Sequence, residues 1–230
     1  MNTPLSSLIR TELLHLEGVR RLPAVRRFTS VLTNETAREN LFFLDSGFAK
    51  LIRRGEDGKE VILSIIGPGE MFAEHALLNC STRPFTSEML QDGVVYEIPR
   101  DIFVSFCRQH PEVWQMFWEQ AIERQLEAEQ KIALLCLEDV EFRILYYLAK
   151  LAHRFSAPAT DQEEYSVPLS QSELASLVGA TRETTSTTLN ALARQGLVRL
   201  GRRLVTVRSL DAIRNASRKH GAKAASQSGD

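Results

Sequence analysis

Cysteine is scarce in this chain of 230 residues, and the three that occur lie far apart. Cys80, Cys107 and Cys136 form no C-x-x-C pair, and an odd, scattered set argues against a disulfide framework. The same scarcity speaks against an iron–sulfur cluster held within one chain, which takes about four thiolates. The pattern fits a reducing cytoplasm, with each thiol expected to be buried and structural. Long apolar runs are missing too. Runs such as Ile132–Leu137 fall far short of the roughly 20 residues of a membrane-spanning helix. The start, Met-Asn-Thr-Pro-Leu, lacks the basic and apolar regions of a signal peptide, so neither a leader nor a membrane partner is expected. No nucleophile–base pair, phosphate loop or metal-ligand spacing stands out either, so an enzyme is the weakest functional class.

What is present is ordinary for a soluble globular protein: 43% hydrophobic and 25% charged residues, enough for one large or two small domains. The net charge of −1 hides an asymmetry. Residues 138–230 carry 13 Lys+Arg against 10 Asp+Glu, whereas residues 1–137 carry 15 against 19.

The basic half holds the most informative stretch, residues 169–196. Ser170 with Glu173 predicts a capping box, and Leu174, Leu177 and Val178 follow at helical spacing. Gly179 can end that helix in the left-handed conformation, and Thr181 can cap a second one. On the second helix Thr185, Thr188, Leu189 and Leu192 form an inward stripe. Arg182, Glu183, Ser186, Thr187 and Asn190 form the outward one, which is rich in base-reading chemistry. Arg forks onto guanine, Glu accepts from cytosine, and Thr or Asn adds further edge contacts. A solvated helical hairpin that binds no DNA would also show two such helices. The residues after Gly196 favour the DNA reader: two β-prone runs flank Gly201-Arg202-Arg203, a hairpin with a basic tip. Between Arg199 and Lys219 stand seven basic residues and one acid, Asp211. Such charge supplies affinity for phosphate, with Arg203 at the tip, while the Arg182 stripe supplies selection.

Residues 41–103 read differently. Strand-like runs over Leu41–Gly47, Phe48–Arg54, Val61–Ile66 and Val94–Ile98 alternate with Gly and Pro turns, and Met71–Leu78 contains a short helical turn. Many short strands indicate a small antiparallel barrel or sandwich. Between the two parts a long helix is predicted from Pro111 to Leu137. One of its ridges is Trp114, Phe117, Ala121, Ala128, Ile132 and Leu135; the other is Trp118, Ile122, Leu126, Ala133 and Leu137. Two ridges need two partners, and a second copy of the helix is the economical one, with the first ridge as the expected dimer interface.

This order of parts resembles the Crp–Fnr family of bacterial transcription factors, from about Leu14 to Leu210. The most specific matches are Gly179-Ala-Thr-Arg-Glu-Thr184, Gly58-Lys-Glu-Val-Ile62, Gly67-Pro-Gly-Glu-Met-Phe72 and Glu138-Asp-Val140. The resemblance implies an α+β fold. A cyclic-nucleotide-binding-like β-roll (jelly-roll) sensor spans 1–110, a dimerisation helix 111–138, and a winged helix-turn-helix 139–218. A disordered tail is expected over 219–230. It implies that Asp139 is a hinge, and that Arg182 and Glu183 contact a guanine and a C·G pair. Ser170 and Thr181 are added to the DNA-facing set. Thr187 stands where the catabolite activator has a further Arg, so the half-site is not transferable.

The sensor departs from the family pattern. Where cyclic-AMP binders carry Gly-Glu and Arg-Ser pairs, this chain has Ala73-Glu74 and Arg83-Pro84. Glu74 and Arg83 remain as ligand-binding candidates, but Pro84 removes a hydroxyl and an amide donor, and Ala73 adds a Cβ. Ala128 and Glu129 replace the adenine-contacting pair. Cyclic AMP is therefore disfavoured. Haem is disfavoured as well, since His15 and His75 are the sole N-terminal candidates for an axial ligand. The expected partners are double-stranded DNA and a second copy of the chain. RNA polymerase would be a further partner of an activator, although no surface for it is marked. The competing reading is a nucleotide-sensing module that regulates a protein partner through its winged helix.

Overall fold

Leu41-Phe42-Phe43-Leu44 is apolar at every position because its strand is buried on both faces, and the two faces belong to two different cores. In the computed structural model, which describes residues 4–32, 39–78, 85–155 and 164–217, the chain divides into two compact units, 1–128 and 129–230.

The first unit holds two antiparallel sheets. One has the order β1 (Arg20–Val25), β7 (Gly93–Pro99), β2 (Asn40–Ser46), β5 (Glu70–Phe72). The other has the order β4 (Glu60–Ile66), β3 (Ala49–Arg54), β6 (Thr86–Met89). Side chains alternate across a strand. Leu41 and Phe43 accordingly join a helix-side core with Ile98, Phe103 and Val113, while Phe42 and Leu44 join a second core with Ala49, Leu51, Ile66 and Phe72. Helices α1 (Pro4–Thr11), α2 (Arg100–Gln109) and the first part of α3 (Pro111–Leu137) carry the helix-side core. The strand runs read from sequence hold to within a residue or two. β1, β5, β6, α1 and α2 are additional: β5 and β6 are only three and four residues long, Pro23 interrupts β1, and α2 buries Phe103, Phe106 and Cys107 at a helical spacing that escapes the sequence reading.

Lys50 of β3 is a buried cation in this unit, with its ammonium 2.9 Å from Glu60 and 3.0 Å from Glu88. Burial alone would lower its pKa; the hydrogen bonds and charges of the two carboxylates outweigh that and raise it.

The second unit contains the end of α3, then α4 (Val140–Phe155), β8 (Tyr165–Val167), α5 (Gln171–Val178), α6 (Arg182–Arg194) and a hairpin of β9 (Val198–Gly201) with β10 (Leu204–Val207). A final helical segment covers 210–217. β10 pairs with both β8 and β9 in one antiparallel sheet. Leu145, Leu148, Val167, Leu174, Val178, Leu189, Leu192 and Val205 are all buried. The fold is thus α+β: a β-roll, a long helix, and a winged helix-turn-helix. The tail predicted over 219–230, like Arg83, Pro84 and Cys80, lies outside the described residues.

Two expectations need correction. Phe117 is buried in the helix-side core of its own unit and so is not available to a second copy of α3, and Trp114 packs half-buried against the same core. The aromatic contacts say why: Phe117 sits 5.1 Å from Phe103 and 5.8 Å from Trp114, ring centroid to centroid. The ridge left exposed in this unit is Trp118, Ile122 and Leu126. The thiols also differ among themselves. Cys107 is buried, which pushes its pKa up to about 12, whereas Cys136 is exposed on α3.

Candidate nucleic-acid interface and sensor pocket

The reader helix is built by local rules. The Ser170 hydroxyl accepts from the Glu173 amide, and the Glu173 carboxylate accepts from the Ser170 amide, closing the capping box that opens α5. Gly179 ends α5 at φ +68°, and Thr181 then caps α6 by accepting from the Thr184 amide at 3.1 Å. α6 buries Thr185, Leu189 and Leu192 and exposes Arg182, Glu183, Thr187 and Asn190, with Ser186 half-buried. Those four exposed side chains have no partner among the described residues. The outward stripe therefore stays free for an external ligand. Ser170 and Thr181 are different, since their hydroxyls are committed to capping.

Arg203 is also engaged. Its Nη2 donates to Glu173 Oε1 at 2.9 Å, although 30 residues separate the two. The neighbouring tip residue, Arg202, is exposed. Asp139 lies between α3 and α4, where its carboxylate accepts from the Phe142 amide at 2.9 Å and so caps α4. Ile132 and Leu135 are exposed on α3; Ala128 is exposed and Ala121 half-buried.

In the β-roll, Glu74 starts a 3-10 turn directly after Ala73, which is fully buried at φ +71°. A left-handed backbone suits Gly far better than Ala. Glu74 is ion-paired with Arg124 of α3. Arg124 Nη2 also donates to the Met71 carbonyl at 2.8 Å. One turn earlier Gln120 accepts from the Met71 amide at 3.0 Å and donates to the Gly69 carbonyl at 3.3 Å. α3 is thus clamped to β5 through Gln120 and Arg124, beside Glu74. Nε and Nη1 of Arg124 remain buried with no hydrogen-bond partner. Neither Gln120 nor Arg124 is marked by the sequence, because a polar residue on a long amphipathic helix carries no sign of an inward partner. His75 packs edge-on against Phe85, at 5.1 Å.

Likenesses to known proteins agree with this geometry. The family model described as a cyclic nucleotide-binding domain matches residues 25–110, and that of a Crp-like helix-turn-helix domain matches residues 142–216. The chain is 33% identical to the cyclic AMP receptor protein of Thermus thermophilus, over 73% of this chain and 74% of that one. It is 28% identical to the CRP-like cAMP-activated global transcriptional regulator of Mycobacterium tuberculosis, over 78% and 80% of the two chains. Among solved structures, the c-di-GMP responsive global regulator CLP of Xanthomonas campestris superposes with a TM-score of 0.73 at 25% identity, covering 88% of this chain and 98% of that one.

Proposed function

The chain belongs to the Crp–Fnr family of DNA-binding transcription regulators, and from that premise we propose that it reads a twofold operator as a homodimer, with Arg182 and Glu183 contacting base edges. The observation that carries this reading is the outward stripe of α6, exposed and without partners among the described residues. Twofold readers of this kind address half-sites about one DNA turn, ~34 Å, apart. The dimer contact falls to Trp118, Ile122 and Leu126, the apolar ridge that the β-roll leaves uncovered. Partner-free reading chemistry on α6, with the exposed Arg202 at the wing tip, favours DNA over a protein partner for the winged helix.

The relatives carry names that refer to cyclic AMP and to cyclic di-GMP, so one scaffold serves more than one effector. For this chain we infer a resting state that binds DNA without cyclic AMP. Ala73, Pro84 and Glu129 depart from the cyclic-AMP pattern, and Glu74 is already held by Arg124. An effector that does act would bring acceptor oxygens to the two open donors of Arg124. It would shift the protein only through unequal affinity for its two arrangements.

The experiment is selection from random duplex DNA with reduced, ligand-free protein at fixed salt, repeated with cyclic AMP. A palindrome enriched without ligand is the expected result. One enriched only with cyclic AMP overturns the sensor reading, and none under either condition overturns the operator reading.

A further inference from the structure

The wing tip carries two adjacent arginines that the fold treats differently. β9 and β10 are joined by a two-residue turn, with Gly201 paired to Leu204 across it. Of the two turn residues only Arg203, the second, has a positive φ, +55°. That conformation favours Gly or Asn and costs an L residue with a long side chain. From this turn the Arg203 side chain reaches α5, the first helix of the helix-turn-helix. There it meets Glu173, whose side chain is 7% exposed. The Glu173 carboxylate is already committed: Oε2 accepts from the Ser170 amide at 2.8 Å and from the Ser170 hydroxyl at 2.7 Å. Oε1 takes the Arg203 Nη2. Drawing Arg203 away would break a charge-assisted hydrogen bond to a carboxylate that is almost fully buried, which is costly.

We propose that Arg203 is a positioning residue, which fixes the wing to the capping box of α5 through Glu173 and leaves the phosphate contact at the wing tip to Arg202. This rests on the operator reading above and refines it. The two arginines then have separable signatures. A phosphate contact contributes about 0.9 to the slope of log affinity against log salt, whereas a positioning residue contributes nothing to that slope. Arg202 is exposed with no partner among the described residues, as a phosphate ligand awaiting DNA should be.

The test measures operator affinity across a salt series for the wild type and for Arg202→Met, Arg203→Met, Arg203→Lys and Glu173→Gln. Thermal melting of each variant checks folding. Binding by the wild type is the prior condition: its failure would count against the operator reading and not against this one. Arg203→Met should weaken binding about tenfold, as expected for loss of a charge-assisted hydrogen bond, with the slope unchanged. Glu173→Gln should weaken it similarly, and combining Arg203→Met with Glu173→Gln in one chain should weaken it little further. Arg202→Met should lower the slope by about one. Arg203→Lys, which keeps the charge but loses the fork, should recover only part of the affinity. The proposal is overturned if Arg203→Met lowers the slope while Arg202→Met does not. It is equally overturned if Glu173→Gln tightens binding, the result expected if Glu173 merely competes with DNA for Arg203. Should Glu173→Gln melt below the assay temperature, the slopes of the two arginine variants decide alone.

Discussion

Leu135, near the end of α3, presses into the turn of the helix-turn-helix at Gly179. The first carbon of any side chain at 179 would stand 2.6 Å from Leu135 Cδ2, at a backbone φ of +68°. Gly179→Ala should therefore cost about 2 kcal/mol or more, combining left-handed strain with overpacking. Leu135→Ala in the same chain should recover the steric part and leave the backbone part. Denaturation midpoints of the two single variants and the double one form the cycle, and full additivity would show that the contact plays no role.

Arg182→Ala should cost about 1–3 kcal/mol in operator binding and relax selection at one base position. Competition between the selected operator and single-base variants measures both. An affinity loss equal across all sequences would make Arg182 a phosphate contact.

The hydroxyl of Thr185 is buried in the core of the reader unit with no hydrogen-bond partner. Thr185→Val keeps the shape and removes the unsatisfied group, so it should stabilise the unit by about 1 kcal/mol. A destabilised variant in chemical denaturation would mean that the hydroxyl is satisfied in solution.

Lys131 is 8% exposed, and burial lowers its pKa from 10.5 to about 8. With a folded pKa below the unfolded one, the unfolded chain binds more protons between pH 8 and 10.5. Stability from this group therefore rises across that window, and the penalty is complete below it. Lys131→Met should raise stability at pH 7 by about 1–3 kcal/mol, with the advantage shrinking towards pH 10.5. Urea midpoints of both proteins against pH check this, and a gap that is constant with pH would refute it.

Ile122→Asp should give a monomer in sedimentation while the β-roll stays folded, because the side chain is 51% exposed on α3. Phe117→Ala should act the other way, lowering stability by about 3–5 kcal/mol with less effect on self-association. The reverse outcome would restore the first ridge as the dimer contact.

The elements that sequence places well are those written in short-range patterns. The capping box of Ser170 and Glu173, the left-handed Gly179, the bounds of α3 and the two strands of the wing all follow from residues within a few positions of one another. α4 escapes the sequence reading, although it buries Ile144, Leu145, Leu148 and Leu151 on one side. β6 and β8 are too short to show a period. For the sensor, the motif marks Glu74 but not Arg124, its partner 50 residues on.

By itself, then, the sequence determined the order of a β-roll, a long helix and a winged helix-turn-helix, and which stripe of α6 stays polar. Tertiary structure alone decided that Phe117 faces inward while Trp118 faces out, that Arg124 closes on Glu74, and that Arg203 serves Glu173. The physical reason is range. Periodicity and capping act over one or two turns of chain and leave their trace in neighbouring letters. The partner of a long polar or aromatic side chain is set by which surfaces pack together, and that is fixed only when segments distant in sequence meet.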